Sequence, residues 1–66
     1  MQYYVTLTNS QIDYLINEKI HSKRDRQIMK LRMIDGMTYE SIAEICEMSV
    51  IQIKRIVQRC TKMIPI

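Results

Sequence analysis

Glycine and proline are almost absent from this chain of 66 residues, which contains one of each, Gly36 and Pro65. Because these two residue types supply most turns and helix breaks, a chain that lacks them favours helices joined by short loops. The chain is instead rich in Ile, Met, Leu, Lys, Arg, Gln and Glu, most of which are good helix formers. The sequence therefore predicts an all-α fold.

The same scarcity excludes several classes of function. With Gly36 alone, neither a GxxxxGK[ST] phosphate loop nor a GxGxxG turn can form, so nucleotide-binding folds are excluded. Cys46 and Cys60 form no CxxC pair, and the single histidine, His21, is far from both, so no zinc-finger spacing exists. No nucleophile–base pair or carboxylate pair is recognisable either. We therefore expect no enzymatic activity, no metal and no cofactor.

The length limits the chain to one domain, which we assign to residues 1–66. No segment approaches the roughly 20 apolar residues that cross a bilayer, and Met1-Gln2-Tyr3-Tyr4 lacks the features of a signal peptide. We expect a cytoplasmic protein without membrane contact. Because apolar residues make up 47% of a small chain with much surface, we also expect a homodimer in which some of them face the second copy.

Helix caps and apolar periodicity predict where the first helix lies. Residues 1–7 are β-prone but have no partner strand, so they are predicted to form an extended arm. Residues 8–10 are candidate N-caps, and Gln11 stands in the capping-box position relative to Thr8. The apolar residues that follow at helical spacing are Ile12, Leu15, Ile16 and Ile20.

The second helix is predicted to begin after Ser22, with Asp25 near its positive end, and to end at Gly36. One of its faces is apolar and contains Ile28, Met29, Leu31, Met33 and Ile34. The other is cationic and contains Lys23, Arg24, Arg26, Lys30 and Arg32. Such a charged face is either solvated or in contact with phosphates.

Two more helices follow, joined by a short turn. The third is predicted over residues 39–46, capped by Thr38. Its inward residues are predicted to be Ile42, Ile45 and Cys46. The fourth is capped by Ser49, with Gln52 in the capping-box position. Its apolar face consists of Val50, Ile53, Ile56, Val57, Cys60 and Ile64. We expect the tail, residues 63–66, to fray or to dock on a partner.

The spacing of the last two helices, with a four-residue joint, is typical of a helix-turn-helix, which we assign to residues 38–62. Two helices that cross at about 90–120° need a small residue at their contact, and Ala43 supplies it. Cys46 and Cys60 are interpreted as small apolar core residues rather than as nucleophiles. The predicted fold is therefore a four-helix, all-α domain with a C-terminal helix-turn-helix and a short N-terminal arm.

Charge is divided unequally between these two helices. Residues 36–48 contain three acidic and no basic residues, whereas residues 49–66 contain four basic and no acidic residues. A helix with a purely structural role usually mixes the two signs, so an unopposed cationic helix favours a polyanionic partner. Double-stranded DNA is the partner that we expect, with an affinity that falls as the salt concentration rises.

Four segments carry a likeness to a known family: RDRQIMKLR at 24–32, DGMTYESIAE at 35–44, MSV at 48–50 and IKRI at 53–56. Over residues 24–60 the chain resembles the fourth region of bacterial sigma factors. In that family the last helix of the domain reads the upstream promoter element in the major groove, and related domains occur in small phage regulators. Glu47 departs from the pattern, because many such domains have glycine at this turn. No other sigma region is present, so we do not expect a complete sigma factor.

The resemblance implies a role for each exposed residue of the fourth helix. Six residues are expected to face the groove: Ser49, Ile51, Gln52, Lys54, Arg55 and Gln58. Two are expected nearer the backbone: Arg59 and Lys62. Arg55 suits guanine and Gln52 suits adenine, because each can make two hydrogen bonds to a base edge. Ile51 either touches a thymine methyl group or faces a protein partner. Thr38 and Tyr39 are expected to hold a phosphate through backbone N–H and hydroxyl groups.

Three functions are compatible with these residues. The first is sequence-specific DNA binding by a small dimeric transcription regulator. The second is a protein-interaction module that docks on RNA polymerase or on another regulatory protein. The third, a DNA-packaging accessory, shares the DNA chemistry of the first. Binding to random duplex DNA at low salt separates the first function from the second.

Overall fold

The computed structural model describes residues 7–64, which form four helices and, within that range, no strand. In chain order the helices are α1 (Asn9–Lys19), α2 (Lys23–Met33), α3 (Tyr39–Cys46) and α4 (Val50–Thr61). The predicted all-α, four-helix fold is confirmed. The extended arm predicted for residues 1–7 lies outside the described residues, except for Leu7, which is not helical.

Two of the helices begin with the reciprocal hydrogen bonds of a capping box. At the start of α1 the Thr8 hydroxyl accepts the Gln11 N–H at 3.2 Å, and the Gln11 amide oxygen accepts the Thr8 N–H at 2.9 Å. Ser49 and Gln52 form the same pair of bonds at the start of α4, both at 3.1 Å. Each box satisfies two backbone groups that have no partner within the helix, so the sequence fixes where these helices start.

The other two helices begin with a single hydroxyl cap, also at the predicted residues. Ser22 Oγ accepts the Asp25 N–H at 3.3 Å before α2, and Thr38 Oγ1 accepts the Ser41 N–H at 3.1 Å before α3. A cap of this kind is worth about 1 kcal/mol relative to alanine. The four helix starts are therefore determined by contacts between residues close in sequence.

The core lies where α2, α3 and α4 meet, with α1 packed on α2. The buried residues of α4 are Ile53, Ile56, Val57 and Cys60, and they meet Ile28 and Met29 of α2 and Ile42 and Ala43 of α3. Ile16 and Ile20 extend this core to α1 and the residue that follows it. The segment from Val50 to Thr61 is thus held against the protein along one side.

Arg26 stabilises the short connection between α1 and α2. Its Nη1 donates to the carbonyl oxygens of Ile20 and His21, both at 3.0 Å. These oxygens lie at the C-terminal end of α1, where a cation is favoured by the helix dipole. Across the same pair of helices, Lys30 Nζ lies 3.0 Å from Asp13 Oδ1. Two residues of the cationic face predicted for α2, Arg26 and Lys30, therefore hold α1 against α2.

The turn between α3 and α4 is formed without glycine. Glu47 has φ 55° and ψ 45°, the left-handed conformation. Its N–H donates to the Glu44 carbonyl at 3.4 Å, and the Met48 N–H donates to the Ala43 carbonyl at 2.9 Å. This is the bond pattern that most often ends a helix with glycine. The joint contains three residues, 47–49, one fewer than the four predicted.

Gly36 also has a positive φ, 67°, as the sequence predicted. However, α2 ends at Met33, before Gly36, and the chain closes through hydrogen bonds from Asp35 N–H to the Lys30 carbonyl and from Met37 N–H to the Leu31 carbonyl. No atom lies within 4 Å of a Cβ added at Gly36. Glycine is required here by the backbone conformation and not by a close neighbour.

One predicted burial is wrong, and one predicted helix end lies too far along the chain. Ile45, expected to point inward, is 53% exposed. The short α3 turns Ile42 and Ala43 toward α4, and successive residues are separated by about 100°, which places Ile45 beside the contact and not in it. Ile64 was predicted on the apolar face of the fourth helix and also in a tail that frays or docks on a partner. Its burial in the core agrees with the first prediction, but α4 ends at Thr61, so Ile64 lies after the helix and not within it. Residues 65–66 of the tail lie outside the described range.

The left-handed turn gives a test of stability. Replacing Glu47 with glycine should stabilise the fold by about 1 kcal/mol, because glycine adopts this conformation without Cβ strain. Glu44→Gly is the matched control: it removes the same charge near the same helix end but should destabilise by about 1 kcal/mol. Urea unfolding followed by circular dichroism measures both. Destabilisation by Glu47→Gly contradicts the conformation described for this turn.

Candidate nucleic-acid interface

The outer side of α4 is opposite its buried side. Because consecutive residues are about 100° apart, the residues predicted to face DNA occupy roughly 160° of the helix circumference, away from Ile53 and Cys60. Those residues on or just after the helix are all exposed: Ile51, Gln52, Lys54, Arg55, Gln58, Arg59 and Lys62. Ser49 is exposed as well. The structure thus brings the predicted residues of α4 onto one cationic surface, which we call the outer face of α4.

Gln52 has a second role that limits its use as a base reader. Its amide oxygen accepts the Ser49 N–H at 3.1 Å in the capping box. Paired recognition of adenine uses both the oxygen and the nitrogen of the amide. Because the amide oxygen serves the cap, only the two N–H donors of the amide nitrogen remain for a base. Arg55, whose donors take no part in a cap, is the better placed of the two predicted base readers.

Thr38 lies at the N-terminal end of α3, where its hydroxyl group is engaged. Thr38 Oγ1 accepts the Ser41 N–H at 3.1 Å and donates to Ser41 Oγ at 3.0 Å. The hydroxyl therefore serves the cap, and the backbone N–H groups of the first turn are the ones that point outward. A phosphate at this end would meet those N–H groups and not the Thr38 hydroxyl.

The ring of Tyr39 contacts two cations from neighbouring helices. Arg32 Cζ lies 4.4 Å and Lys54 Nζ 5.8 Å from the ring centroid. Arg32 also donates to the Met37 carbonyl at 2.8 Å. Cations at these distances are attracted by the negative face of the ring. From the sequence, Tyr39 was assigned only a phosphate contact through its backbone N–H and hydroxyl groups, because nothing in the spacing of the three residues indicates that the ring meets two cations.

Arg59 is held by α2 and does not extend freely from α4. Its Nη2 lies 2.7 Å from Oδ2 of Asp25, whose side chain is only 8% exposed. The other carboxylate oxygen of Asp25 is 3.4 Å from Nε of Arg24. Both arginines remain mostly exposed, Arg59 at 62% and Arg24 at 60% of their side chains. The sequence suggested Asp25 only as a helix-start carboxylate, because a contact across 34 residues leaves no local pattern.

A groove lies between the start of α2 and the outer face of α4. It is lined by Arg24, Met48, Gln52, Arg55, Ile56 and Arg59. Three of these residues are arginines, and two of them, Arg24 and Arg59, pair with the carboxylate of Asp25. The groove is therefore cationic. It contains Gln52, Arg55 and Arg59, which were expected from the sequence to contact DNA, and Arg24, whose cationic face the sequence left as either solvated or in contact with phosphates.

Cys60 is a buried core residue close to Asp25. Burial raises the pKa of its thiol, and the nearby Asp25 carboxylate raises the pKa further. Its Sγ is 4.0 Å from Asp25 Oδ2. A thiol of this kind is a weak nucleophile, which agrees with the apolar role predicted for it. Cys46 is half-buried. Within residues 7–64 no cluster of His, Cys, Asp or Glu is arranged to hold a metal.

The described helices are too short and too polar for one of them to cross a bilayer. Among residues 7–64 the exposed large apolar side chains are Tyr14, Ile45, Ile51 and Met63, of which Ile51 is 64% and Ile45 53% exposed. Ile51 lies on the outer face of α4, where a thymine methyl group or a protein surface could cover it.

Two helices joined by a tight turn, the second with one buried side and one exposed cationic side, define a helix-turn-helix domain. Residues 22–62 match the family described as Sigma-70, region 4, and the chain belongs to that family. No curated protein and no solved structure matches the chain significantly. Domains of this family are non-enzymatic and bind DNA and RNA polymerase in transcription. The matched segment contains α2, α3 and α4, whereas α1 precedes it.

The contact of Tyr39 with two cations gives a second test of stability. Tyr39→Leu should destabilise the fold by about 1 kcal/mol more than Tyr39→Phe, because phenylalanine keeps the ring that attracts Arg32 and Lys54. Thermal and urea unfolding of both variants measure the difference. Equal losses of stability in the two variants would mean that the ring acts only as an apolar side chain.

Proposed function

We propose that this domain binds double-stranded DNA in a sequence-specific manner through the outer face of α4 and acts as a small transcription regulator. The observation that carries the proposal is the exposure of Lys54 and Arg55 on α4, which has no acidic residue, and of Lys62 directly after it. Each cation that neutralises a phosphate releases condensed counterions, which is the main source of affinity for DNA. The family match supports the same partner.

The DNA contacts that we propose are of two kinds, contacts to base edges and contacts to phosphates. Arg55, Gln52 and Ile51 lie on the outer face of α4, where they read base edges in the major groove, flanked by Ser49, Lys54 and Gln58. Lys62 and Arg59, near the C-terminal end, meet the backbone. The start of α3, at Thr38 and Tyr39, supplies backbone N–H groups to a second phosphate. Base contacts give specificity, and phosphate contacts fix the position of the helix.

We further propose that two copies act together, because one domain of this size contacts only a few base pairs. A two-fold dimer would bind an inverted repeat with one copy on each half-site. Sedimentation equilibrium at concentrations of tens of micromolar should then show a dimer. A monomer throughout that range would contradict this part of the proposal and would leave DNA binding by the single domain in place.

A second function is favoured by the exposed apolar side chains. Ile51 and Ile45 are more than half exposed, and a surface that docks on RNA polymerase or on another regulatory protein would cover such residues. Region 4 domains bind RNA polymerase as well as DNA. Titration of the full chain with random-sequence duplex at low salt separates the two functions. Absence of binding would remove the DNA proposal and favour the protein partner.

The two proposed classes of contact differ in how they respond to substitution. On a duplex selected from a random pool, Arg55→Ala should cost about 1–3 kcal/mol and relax one base preference. Lys62→Ala should weaken binding to selected and random duplexes alike and lower the salt dependence by about one counterion. Fluorescence anisotropy at several salt concentrations measures both effects. If each variant loses the same binding affinity for the selected duplex as for the random duplex, the assignment of Arg55 to a base is wrong.

A further inference from the structure

Asp25 is the one charged residue that is buried among residues 7–64. Burying a carboxylate costs free energy unless it is paired and hydrogen-bonded. Here each of its two oxygens faces a different guanidinium group: Oδ2 faces Arg59 at 2.7 Å, and Oδ1 faces Arg24 at 3.4 Å. The carboxylate thus links the start of α2 to the outer face of α4, and it holds the guanidinium groups of Arg24 and Arg59 in position.

Each of the two arginines keeps N–H donors that do not contact Asp25. An arginine has five N–H donors, and each of these two contacts Asp25 through a single nitrogen, Nη2 in Arg59 and Nε in Arg24. The remaining donors belong to side chains that are about three-fifths exposed, and both side chains line the cationic groove. The two guanidinium groups are therefore anchored on one side and free to donate on the other.

The groove that they border suits a phosphate group. Arg55 also lines this groove, so three arginines and the one aspartate that pairs with two of them give a local charge of about +2. Planar guanidinium groups donate in pairs to phosphate oxygens. An arginine that is already held in place loses less side-chain entropy on binding than a free one. A buried acid beneath the groove can in this way strengthen the binding of an anion.

We propose that Asp25 is a positioning residue for DNA binding: it holds Arg24 and Arg59 so that both donate to one backbone phosphate in the groove between α2 and α4. This inference rests on the proposed function, since it names how one phosphate is held. It assigns a contact to Arg24, on α2, and a role to an acidic residue inside a cationic interface. If Asp25 only neutralised Arg59, its removal would strengthen DNA binding, so the two roles differ in sign.

The first experiment compares Asp25→Asn with Asp35→Asn in the full chain. Both raise the formal net charge from +3 to +4, but Asp35 is exposed in the loop after α2, away from the groove. The probe is a pool of random-sequence duplexes of roughly two helical turns, about 20 base pairs. Affinity is measured at several salt concentrations, and circular dichroism confirms that each variant is folded.

If Asp25 positions the two arginines, its replacement should change DNA binding in the direction opposite to that expected from the change in net charge. Asp25→Asn should weaken binding roughly tenfold, and the slope of log affinity against log salt should fall by about one. Asp35→Asn should leave both quantities unchanged or slightly raised. A purely structural role would change the unfolding midpoint without changing the salt slope of the folded protein. Unchanged or tighter binding by folded Asp25→Asn would overturn the proposal.

A second pair of variants applies even if Asp25→Asn does not fold. Arg24→Ala and Lys23→Ala each remove one exposed cation from the first turn of α2. Lys23 lines a different groove, with Arg26, Gln27, Lys30 and Leu31. Arg24→Ala should weaken binding roughly tenfold and lower the salt slope by about one, whereas Lys23→Ala should change affinity by less than about twofold. Equal losses for the two variants would overturn the assignment of Arg24.

The wild-type titration separates this inference from the proposed function. If the wild-type chain does not bind the random duplex pool at low salt, the proposed function fails. If it binds, and the variants of Asp25 and Arg24 behave like their controls, DNA binding stands and only the positioning role is overturned.

Discussion

Burial of one side of α4 is the constraint on which the rest of the structure depends. Ile53, Ile56, Val57 and Cys60 meet residues of α2 and α3 and leave the helix no freedom to rotate. Each side chain of this size contributes about 1.5–3 kcal/mol when buried. Because the buried residues repeat at helical spacing, the cations between them are forced to the opposite side. The cationic outer face is thus a consequence of core packing.

The direction of that face is set by the turn before α4 and by the contacts of α2. Glu47 adopts a left-handed conformation so that α3 can end and α4 can begin within three residues, and Ala43 lets the two helices approach. Asp25 then ties α4 to α2 through Arg59, and Tyr39 lies near the cations of both helices. Interactions within the interface therefore also hold the fold together, so several of the same residues serve both stability and binding.

The sequence predicted what is determined locally and missed what is determined across the fold. The caps Ser22, Thr38 and Ser49 were predicted correctly, and Thr8 was one of three candidates, because each cap acts on a neighbour three residues away. The exposure of Ile45 was missed because periodicity over two turns does not fix the centre of the buried face. The contact between Asp25 and Arg59 was missed because it spans 34 residues and appears only when α2 and α4 pack. The roles in DNA binding assigned to the outer face stay predictions.

The most direct measurement is a titration of the ¹⁵N-labelled full chain with a selected DNA duplex, followed by amide chemical shifts. If the outer face of α4 lies against DNA, the largest changes should occur at Gln52, Arg55 and Gln58 and at the start of α3, while residues on the far side of α1, such as Tyr14, should not change. Binding that shifts the amides of α1 and leaves those of α4 unchanged would contradict the account.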